Sequence, residues 1–305
     1  MIDPGGLRRR PLATAMLALL ASSLQAGCSR GAAAPHESPS GAETGRGASP
    51  SLSVTYLANE GFLLESGEEA VLLDAIFGDG LAGYPAVPMP LRDEIERGLG
   101  RFGEVDCVLA THAHADHFDP KAVARFLANV PAQFVSTEEA VREIEPLVAN
   151  RALPPPRWLR PGRHVVELFD CGGLAVSAMS LHHGRLMIKN LAFIVEIGDL
   201  KVLHVGDTEI TADEVRPWRL SEIGIDVALL PAWHLTEPTW LPLVREIAPG
   251  AIVAMHLASP DAPRSWFGSD GSLEDRIEEI RRRSPDAWIP TLPLEERTFS
   301  RRGEP

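Results

Sequence analysis

Short apolar runs rich in valine, isoleucine and leucine recur along most of the chain, with polar segments between them. Runs of this length and composition predict β-strands. They occupy residues 53–57, 61–64, 70–73, 107–111, 133–135, 165–168, 174–179, 191–197, 201–205, 227–230 and 252–255. Helical periodicity lies between some of the runs, as where Leu91, Ile95 and Leu99 recur on one face. Strands and helices mixed in this way predict layered sheets with helices outside them.

Polar residues mark where three of the predicted helices begin. Asp119 directly precedes Pro120, which is typical of an N-cap followed by proline at the first helical position. Ser136 and Glu139 have the spacing of a capping box. A further helix is predicted to begin at Ser272.

The first fifty residues have a different pattern. Residues 8–10 are basic, residues 12–24 form an apolar stretch, and two small residues stand directly before Cys28. This arrangement resembles a bacterial lipoprotein signal, in which the cysteine becomes the lipidated first residue of the mature protein. We therefore predict a signal peptide with a lipoprotein-type cysteine over residues 1–28. An ordinary secretory signal cut after Ala26 and a retained anchor helix are the alternatives.

Residues 29–50 consist mainly of glycine, alanine, serine and proline, without bulky apolar side chains. Such a segment cannot bury enough surface to offset the entropy lost on ordering, so we predict a flexible tether. Residues 51–305 then form the folded domain. The expected location is the bacterial cell envelope, where a lipid on Cys28 anchors an exported protein that faces the periplasm.

Composition and charge exclude several classes of protein. Apolar residues make up 45% and charged residues 23% of the 305 residues, as in ordinary globular proteins. No apolar run approaches the roughly 18 residues of a membrane span, so a polytopic protein is not expected. The net charge of -13 repels phosphate backbones, so general nucleic-acid binding is not expected. Three cysteines are too few for a disulfide scaffold, so Cys107 is interpreted as a small strand hydrophobe and Cys171 as a turn residue.

The most informative segment is 111–117, which lies between a predicted strand and the helix that begins at Asp119. It contains His112, His114, Asp116 and His117. A tight loop at that place can turn all four side chains toward one point. Imidazole nitrogens and carboxylate oxygens are the ligands that suit zinc and neighbouring metals. The segment therefore predicts a metal site.

The pattern His112-x-His114-x-Asp116-His117 resembles the signature of the metallo-β-lactamase-fold hydrolase superfamily. Other segments match that superfamily in the expected order: Gly61-Phe62 with a strand ending at Asp74, then His183-Gly184, Gly206-Asp207 and Met255-His256. The resemblance implies an α+β fold, a four-layer αβ/βα sandwich in which helices flank two mixed β-sheets. It also implies metals at one edge of the sheets.

The same resemblance implies a set of metal ligands. One metal would be held by His112, His114 and His183, the other by Asp116, His117 and His256, with Asp207 as a bridge between them. His182 is the alternative to His183, because neighbouring residues of a strand point to opposite sides. Gly184 matches the family pattern and favours His183. The expected cofactors are two divalent ions, zinc first, with manganese or iron as alternatives.

Further side chains are expected to act around this centre. Asp74 is expected to orient a ligand from behind, Asp116, His182 and His234 are candidates for catalysis, and Phe77, Tyr84, Trp233 and Arg185 are candidates for substrate binding. His204 lies within an apolar run and is interpreted as a packed core histidine.

Together these features predict an exported binuclear hydrolase whose metal-bridging hydroxide attacks a phosphodiester, lactone or related ester. Within the superfamily, Asp207 and the Met255-His256 pair resemble the branch that includes L-ascorbate-6-phosphate lactonase and N-acyl phosphatidylethanolamine phospholipase D. The expected partners are a small-molecule or lipid-like substrate and, through the lipid anchor, a membrane. A β-lactamase, a non-catalytic metal-binding lipoprotein and a redox di-iron protein are the alternatives.

Overall fold

Two packed β-sheets form the centre of the protein in a computed structural model, which describes residues 51–150, 154–184, 188–266 and 271–301. The predicted signal peptide and tether, with Cys28, lie outside these residues, and so does Arg185. The order of the described elements decides which side chains meet at the edge of the sheets.

The first sheet starts as an antiparallel meander and continues as a parallel array. Its strands are β1 (Leu52–Ala58), β2 (Gly61–Ser66), β3 (Glu69–Leu73), β4 (Cys107–Leu109), β5 (Gln133–Thr137), β6 (Arg157–Leu159) and β13 (Glu296–Phe299). In space β13 lies beside β1, and the others follow in chain order. Because β3, β4 and β5 run parallel, their carboxyl ends lie at one edge of the sheet.

The second sheet is also mixed. Its strands are β7 (Val166–Cys171), β8 (Leu174–His183), β9 (Ile188–Ile197), β10 (Leu200–His204), β11 (Val227–Pro231) and β12 (Ala251–Met255). The pairs β7–β8, β8–β9 and β9–β10 are antiparallel, whereas the pairs β10–β11 and β11–β12 are parallel. Strands β8, β10, β11 and β12 therefore all end at the same edge.

The helices lie outside the sheets. They are α1 (Met89–Glu96), α2 (Pro120–Asn129), α3 (Glu138–Val148), α4 (Ala212–Val215), α5 (Leu220–Ile223), α6 (Ala232–Thr236), α7 (Leu241–Ile247) and α8 (Leu273–Arg283), with 3-10 turns at Gly100–Glu104, Arg216–Trp218 and Arg264–Trp266. None of the helices in the described part of the chain has the length and apolar character needed to cross a bilayer.

The predicted helix starts are correct at two places and wrong at one. Asp119 caps α2 with its carboxylate, and Ser272 caps α8 within a capping box. The prediction that Ser136 caps α3 is wrong, because this residue still belongs to β5 and its hydroxyl donates to the carbonyl of Ala110. The strand leads directly into the helix, so Thr137 is the cap instead.

Alternation along the strands divides the core between the layers. In β2, Phe62 and Leu64 belong to the apolar cluster that the two sheets share, whereas Leu63 belongs to the cluster beneath α1, α2 and α3. On the far side, Ile247 of α7 and Ile280 of α8 pack against the second sheet. The order helix, sheet, sheet, helix confirms the predicted four-layer sandwich.

A disulfide between Cys107 of β4 and Cys171 of β7 joins the two sheets, with Cα atoms 5.5 Å apart. The interpretation of Cys107 as a strand hydrophobe and of Cys171 as a turn residue is therefore wrong. The two residues are 64 positions apart, so no local pattern reveals the pair, and only the packing of the sheets brings them together. Closing a loop of that length stabilises a fold by roughly 2–4 kcal/mol.

Candidate metal centre

The predicted metal ligands meet where the parallel strands end. The loop 111–117 follows β4, His183 ends β8, Asp207 follows β10 and His256 follows β12. Neighbouring parallel strands present their carboxyl ends to the same edge, which is where sheets of this kind place functional side chains. Residues far apart in the sequence are brought together in this way.

We call the group of His112, His114, His183 and Asp207 the first cluster. One potential ligand atom of each lies within 4.8 Å of the others, an arrangement that could hold a metal ion. His112 Nε2 lies 2.9 Å from His114 Nδ1, and His183 Nε2 lies 3.6 Å from Asp207 Oδ2. The structure therefore brings together the residues expected at one metal.

We call the group of Asp116, His117 and His256, with Asp207, the second cluster. Its first three members also place potential ligand atoms within 4.8 Å of one another. Asp116 Oδ2 lies 3.7 Å from His117 Nε2 and 3.6 Å from His256 Nε2. These are the residues expected at the other metal.

Asp207 faces both clusters. Its Oδ2 lies 3.6 Å from His183 Nε2, while its Oδ1 lies 3.1 Å from His256 Nε2. The preceding Gly206 has φ +60°, and a Cβ there would lie 2.2 Å from Asn190 Oδ1 and 2.8 Å from Thr111 Cβ. Only glycine fits this turn, and the turn sets the position of the Asp207 carboxylate.

Asp74 lies behind the second cluster and holds His117. Its Oδ2 is 2.9 Å from His117 Nδ1, and its two oxygens also accept hydrogen bonds from the backbone N–H and the hydroxyl of Thr111, each at 2.7 Å. A carboxylate that accepts from one ring nitrogen fixes the ring and leaves the other nitrogen free for a metal. The contacts of Asp74 are those expected of a residue that orients a ligand.

The turn between β1 and β2 adds two residues that the sequence analysis missed. Asn59 Nδ2 donates to Asp116 Oδ2 at 3.1 Å, and the carbonyl of Asn59 accepts from the backbone N–H of His256 at 3.2 Å. Glu60 is fully buried, and its burial, followed by the charge of Asp207, raises its pKa well above the ordinary value. Polar residues in a hairpin turn usually face solvent, so their type alone did not single them out.

Two histidines of the first cluster, His112 and His114, have depressed pKa values. Burial, followed by the positive charge of His117, lowers the pKa of His112 well below its ordinary value. Burial and then His183 lower the pKa of His114. Both rings are therefore neutral near pH 7, the state in which imidazole binds a metal.

The second cluster has the opposite electrostatics. Burial opposes the charged form of His117, but Asp207 and Asp74 outweigh it and raise the pKa of His117 well above its ordinary value. Burial also opposes the charged form of His256, but Asp207 and Asp116 raise its pKa to about 10. Burial would raise the pKa of Asp207, yet the two histidines lower it well below its ordinary value. Without a metal, protons neutralise this cluster.

The residues present fit metal ions. His117 Nε2 and Asp207 Oδ1 are buried 3.4 Å apart, and neither has a hydrogen-bond partner. Buried polar atoms without partners are costly, and a cation between these two would satisfy both. The donors are imidazole nitrogens and carboxylate oxygens, which suit zinc, manganese and iron.

His182, His234 and His204 belong to neither cluster, although His204 Nε2 lies 3.8 Å from Asp74 Oδ2. His182 points to the side of β8 opposite to His183 and lines a separate cavity. Its Nδ1 lies 4.0 Å from Glu214 Oε1. His234 is fully buried, and its Nε2 lies 2.9 Å from the carbonyl oxygen of Thr208. His204 is fully buried in β10, as interpreted.

A cavity of about 350 Å³ opens beside the second cluster. Tyr84, Trp233, Trp266 and Arg276 are among the residues that line it, together with His256. The ring centre of Tyr84 lies 4.2 Å and that of Trp233 5.0 Å from the ring centre of His256. Two of the aromatic residues proposed to bind substrate therefore border the candidate centre.

Phe77 does not line this cavity, contrary to expectation. Its side chain is buried and belongs to the apolar cluster of the helix layer. The neighbouring Ile76 makes a bridge to Phe118, which keeps this part of the loop against the helices. Arg185, the fourth candidate for substrate binding, lies outside the described residues.

The family to which the sequence is similar agrees with the fold and with the ligands of the site. Residues 53–256 match the β-lactamase superfamily domain. The chain therefore belongs to this superfamily, as its histidine motif predicted. A metal-dependent hydrolase of the UPF0173 family from Thermus thermophilus is 29% identical over 185 residues, which cover 59% of this chain and 70% of the relative.

A second relative, a UPF0173 metal-dependent hydrolase from Symbiobacterium thermophilum, is 24% identical and covers 67% of this chain and 84% of its own. Among solved structures, a metallo hydrolase from Ignicoccus hospitalis aligns over 83% of this chain and 100% of its own with a TM-score of 0.52 at 18% identity. The metallo-β-lactamase-fold protein YhfI from Bacillus subtilis aligns over 82% and 99% with a TM-score of 0.55 at 13% identity. These structures share the fold, and the chain is a metal-dependent hydrolase.

Proposed function

We propose that this chain is an exported binuclear metallohydrolase that cleaves an ester-type bond, either a phosphodiester or a lactone. The observation that carries the proposal is Asp207, whose two carboxylate oxygens face two separate groups of ligands. A carboxylate in this position supports two metal ions side by side. The relatives that are named metal-dependent hydrolases support the class of reaction.

Two divalent ions at these clusters would supply a water of lowered pKa, and positive charge beside the substrate, near neutral pH. The chain contributes the positions of the ligands. Asp74 accepts a hydrogen bond from His117 Nδ1 and turns Nε2 toward the centre. Gly206 permits the turn that places Asp207 between the clusters.

Tyr84 is proposed to donate a hydrogen bond to the substrate. Burial, and then the carboxylates of Asp207 and Asp116, raise the pKa of Tyr84 to about 12, so its hydroxyl keeps its proton at neutral pH. His234 is a poor source of a proton for the leaving group. Burial lowers its pKa to about 4, and its Nε2 is held by the carbonyl of Thr208.

The cavity supports a substrate with an apolar part and an anionic part. Tyr84, Trp233 and Trp266 give it aromatic walls, which bind apolar groups. Arg276 contributes a largely buried guanidinium that is 3.7 Å from Glu237. A phosphodiester with a lipid-like group matches both features, and this is the substrate class of the phospholipase-like branch that the motifs resemble.

Export and lipid anchoring through Cys28 are part of the proposal. The Cys107–Cys171 disulfide supports an oxidising compartment, because disulfides are rare in the reducing cytosol. It uses two of the three cysteines, and Cys28 is the third. Cells that express the chain should label it with radioactive fatty acid. Cys28→Ser should remove the label and Ser29→Ala should keep it; label on Cys28→Ser would contradict the anchor.

The test of the hydrolase uses the full chain purified with zinc or manganese. Metal analysis by mass spectrometry should find two ions per chain, and a panel of phosphodiesters, lactones and β-lactams should contain a hydrolysed ester. His114→Ala should abolish turnover, while the exposed His164→Ala should retain it. Turnover of β-lactams alone would indicate a β-lactamase, and two ions without any turnover would indicate a metal-binding protein.

A further inference from the structure

Glu60 is a buried acid without a partner. It lies in the turn between β1 and β2, its side chain is 0% exposed, and neither of its carboxylate oxygens has a hydrogen-bond partner. A buried carboxylate without hydrogen bonds is stable only if it is neutralised by a cation or by a proton. The surroundings of Glu60 indicate where that charge would lie.

One side of Glu60 is already satisfied by the protein. His117 Nδ1 is 3.7 Å from Glu60 Oε2, but it lies closer to Asp74 Oδ2, at 2.9 Å. His204 Nε2 donates to the backbone carbonyl of Glu60 at 3.1 Å, and His204 Nδ1 accepts from the backbone N–H of Gly206 at 3.1 Å. Asp74 and His204 therefore have their hydrogen bonds without the Glu60 side chain.

The other side of Glu60 faces the second cluster. One oxygen of Glu60, one of Asp207 and one ring nitrogen of His256 lie within 4.8 Å of one another, a group that could hold a metal ion. Asp207 Oδ1, which belongs to the second cluster, makes no well-aligned hydrogen bond, and His256 Nε2 lies 3.1 Å from it. The acid without a hydrogen bond and the bridge oxygen thus meet beside the same histidine.

The turn that carries Glu60 is fixed by the second cluster itself. Asn59 has φ +48°, donates to Asp116 Oδ2 and accepts from the backbone of His256. A Cβ on Gly61 would lie 2.9 Å from the Ala58 carbonyl oxygen, so the chain is held closely on the other side as well. Glu60 cannot leave the cluster without breaking these contacts.

We propose that Glu60 is an additional carboxylate ligand of the metal at the second cluster, and that it shifts the preference of this position from zinc toward manganese or iron. The inference rests on the proposed binuclear centre. Two groups share His256, one with Asp116 and His117 and the other with Glu60 and Asp207. Between them they offer three carboxylates and two imidazoles, more donors than the tetrahedral zinc site requires. Oxygen-rich sites of higher coordination number suit manganese and non-haem iron.

The test compares metal binding by the full wild-type chain with that by Glu60→Gln, which keeps the shape of the side chain and removes its charge. Glu68→Gln, in the exposed turn between β2 and β3, is the matched control. Metal-free proteins are titrated separately with Mn²⁺ and Zn²⁺, and the bound metal is counted by mass spectrometry. Co²⁺ absorption spectra report the coordination number without any measurement of activity.

In Glu60→Gln, Mn²⁺ affinity at one of the two positions should fall by on the order of 100-fold. Removing a residue that only supports a ligand lowers metal affinity by about 10- to 100-fold, so the loss of a ligand should reach at least the upper end of that range. Zn²⁺ affinity should fall less, and the Co²⁺ absorption should become stronger as the coordination number decreases. Glu68→Gln should match the wild type. Glu60→Asp, which draws the carboxylate back, should give an intermediate loss and covers the case in which Glu60→Gln does not fold.

Two results separate failure of this inference from failure of the binuclear proposal. If Glu60→Gln binds two Mn²⁺ with wild-type affinity and an unchanged Co²⁺ spectrum, Glu60 is a protonated core residue and only this inference is wrong. If the wild type binds a single ion that is lost in His112→Ala and retained in His256→Ala, the second cluster holds no metal. Both proposals are then wrong.

Discussion

The two clusters share one aspartate but differ in access and in charge. The first consists of three imidazoles around Asp207, and the His183 side chain is 18% exposed. The second adds Asp116 to two imidazoles, and apart from the shared Asp207 its most exposed side chain, that of His256, is 4% exposed. One position is open and rich in nitrogen, and the other is closed and rich in oxygen.

In the proposed binuclear centre, this difference would prepare the two positions for different tasks. His112 and His114 of the first cluster are neutral and ready to bind a metal that substrate and solvent can reach. Carboxylates and protonated histidines in the second cluster form a closed site, where an incoming metal replaces protons. We therefore expect the second cluster to exchange its ion more slowly than the first.

Removing Asp207 should have the largest effect, because this residue joins the two clusters. Asp207→Ala should lower metal affinity at both positions by on the order of 100-fold or more and abolish hydrolysis. The metal retained after dialysis, counted by mass spectrometry, measures the effect. Asp199→Ala, in the exposed turn before β10, is the control. A variant that keeps both ions tightly would show that Asp207 is not shared.

The two clusters should respond differently to pH. His256, with a pKa of about 10, and His117, with a raised pKa, hold protons at pH 7 that a metal must displace, so affinity at the second cluster should fall as pH decreases. His112 and His114 have lowered pKa values and are already neutral at pH 7, so affinity at the first cluster should stay constant there. If binding of the metal releases two protons, the metal affinity of the second cluster should change by about 100-fold per pH unit.

Calorimetry in buffers of different ionisation heat measures the released protons directly. His256→Ala and His112→Ala assign them, because each variant retains the ligands of the other cluster. Equal proton release from the two positions would contradict the difference between the clusters.

Replacing the residue behind His117 should affect the second cluster more than the first. Asp74→Asn keeps the shape but cannot stabilise His117 Nδ1–H as a carboxylate does, so affinity at that position should fall by about 10- to 100-fold. Affinity at the first cluster should fall less, because Asp74 reaches His112 indirectly, through the Thr111 hydroxyl, which is 2.7 Å from Asp74 Oδ2 and 3.0 Å from His112 Nδ1. An equal loss at both positions would indicate damage to the fold, which a thermal melt would detect.

The smallest effect is expected at Asn59. Asn59→Gly tolerates the positive φ and removes only the hydrogen bond to Asp116, so it should weaken the second position by roughly 1 kcal/mol, or about fivefold. Asn59→Asp should weaken it further, because it places a like charge beside Asp116. If Asn59→Asp bound metal more tightly than wild type, Asn59 would be a ligand position and not a support.

Much of the fold and the centre of the site could be predicted from the sequence. The loop 112–117 contains four ligand-type side chains within one turn, so its meaning does not depend on distant contacts. Strand alternation allows only one of His182 and His183 to face the centre, and the match of Gly184 to the family pattern favoured His183. Apolar runs predicted most of the strands, since burial on both faces of a sheet demands them.

The missed features depend on contacts between distant segments. Glu60 looks like an ordinary turn residue until the ends of β10 and β12 bring Asp207 and His256 beside it. Cys107 and Cys171 become a pair only when the two sheets pack. Phe77 is aromatic, as many residues that line binding pockets are, but its residue type does not reveal the course of the backbone that buries it.

The contact between the Asn59 carbonyl and the His256 backbone has a consequence for biosynthesis. The hairpin is synthesised before the histidine that docks on it, because His256 follows Asn59 by 197 residues. A nascent chain can therefore complete the first cluster well before the second. Occupation of the closed position would mark a molecule whose last strands have already found their place.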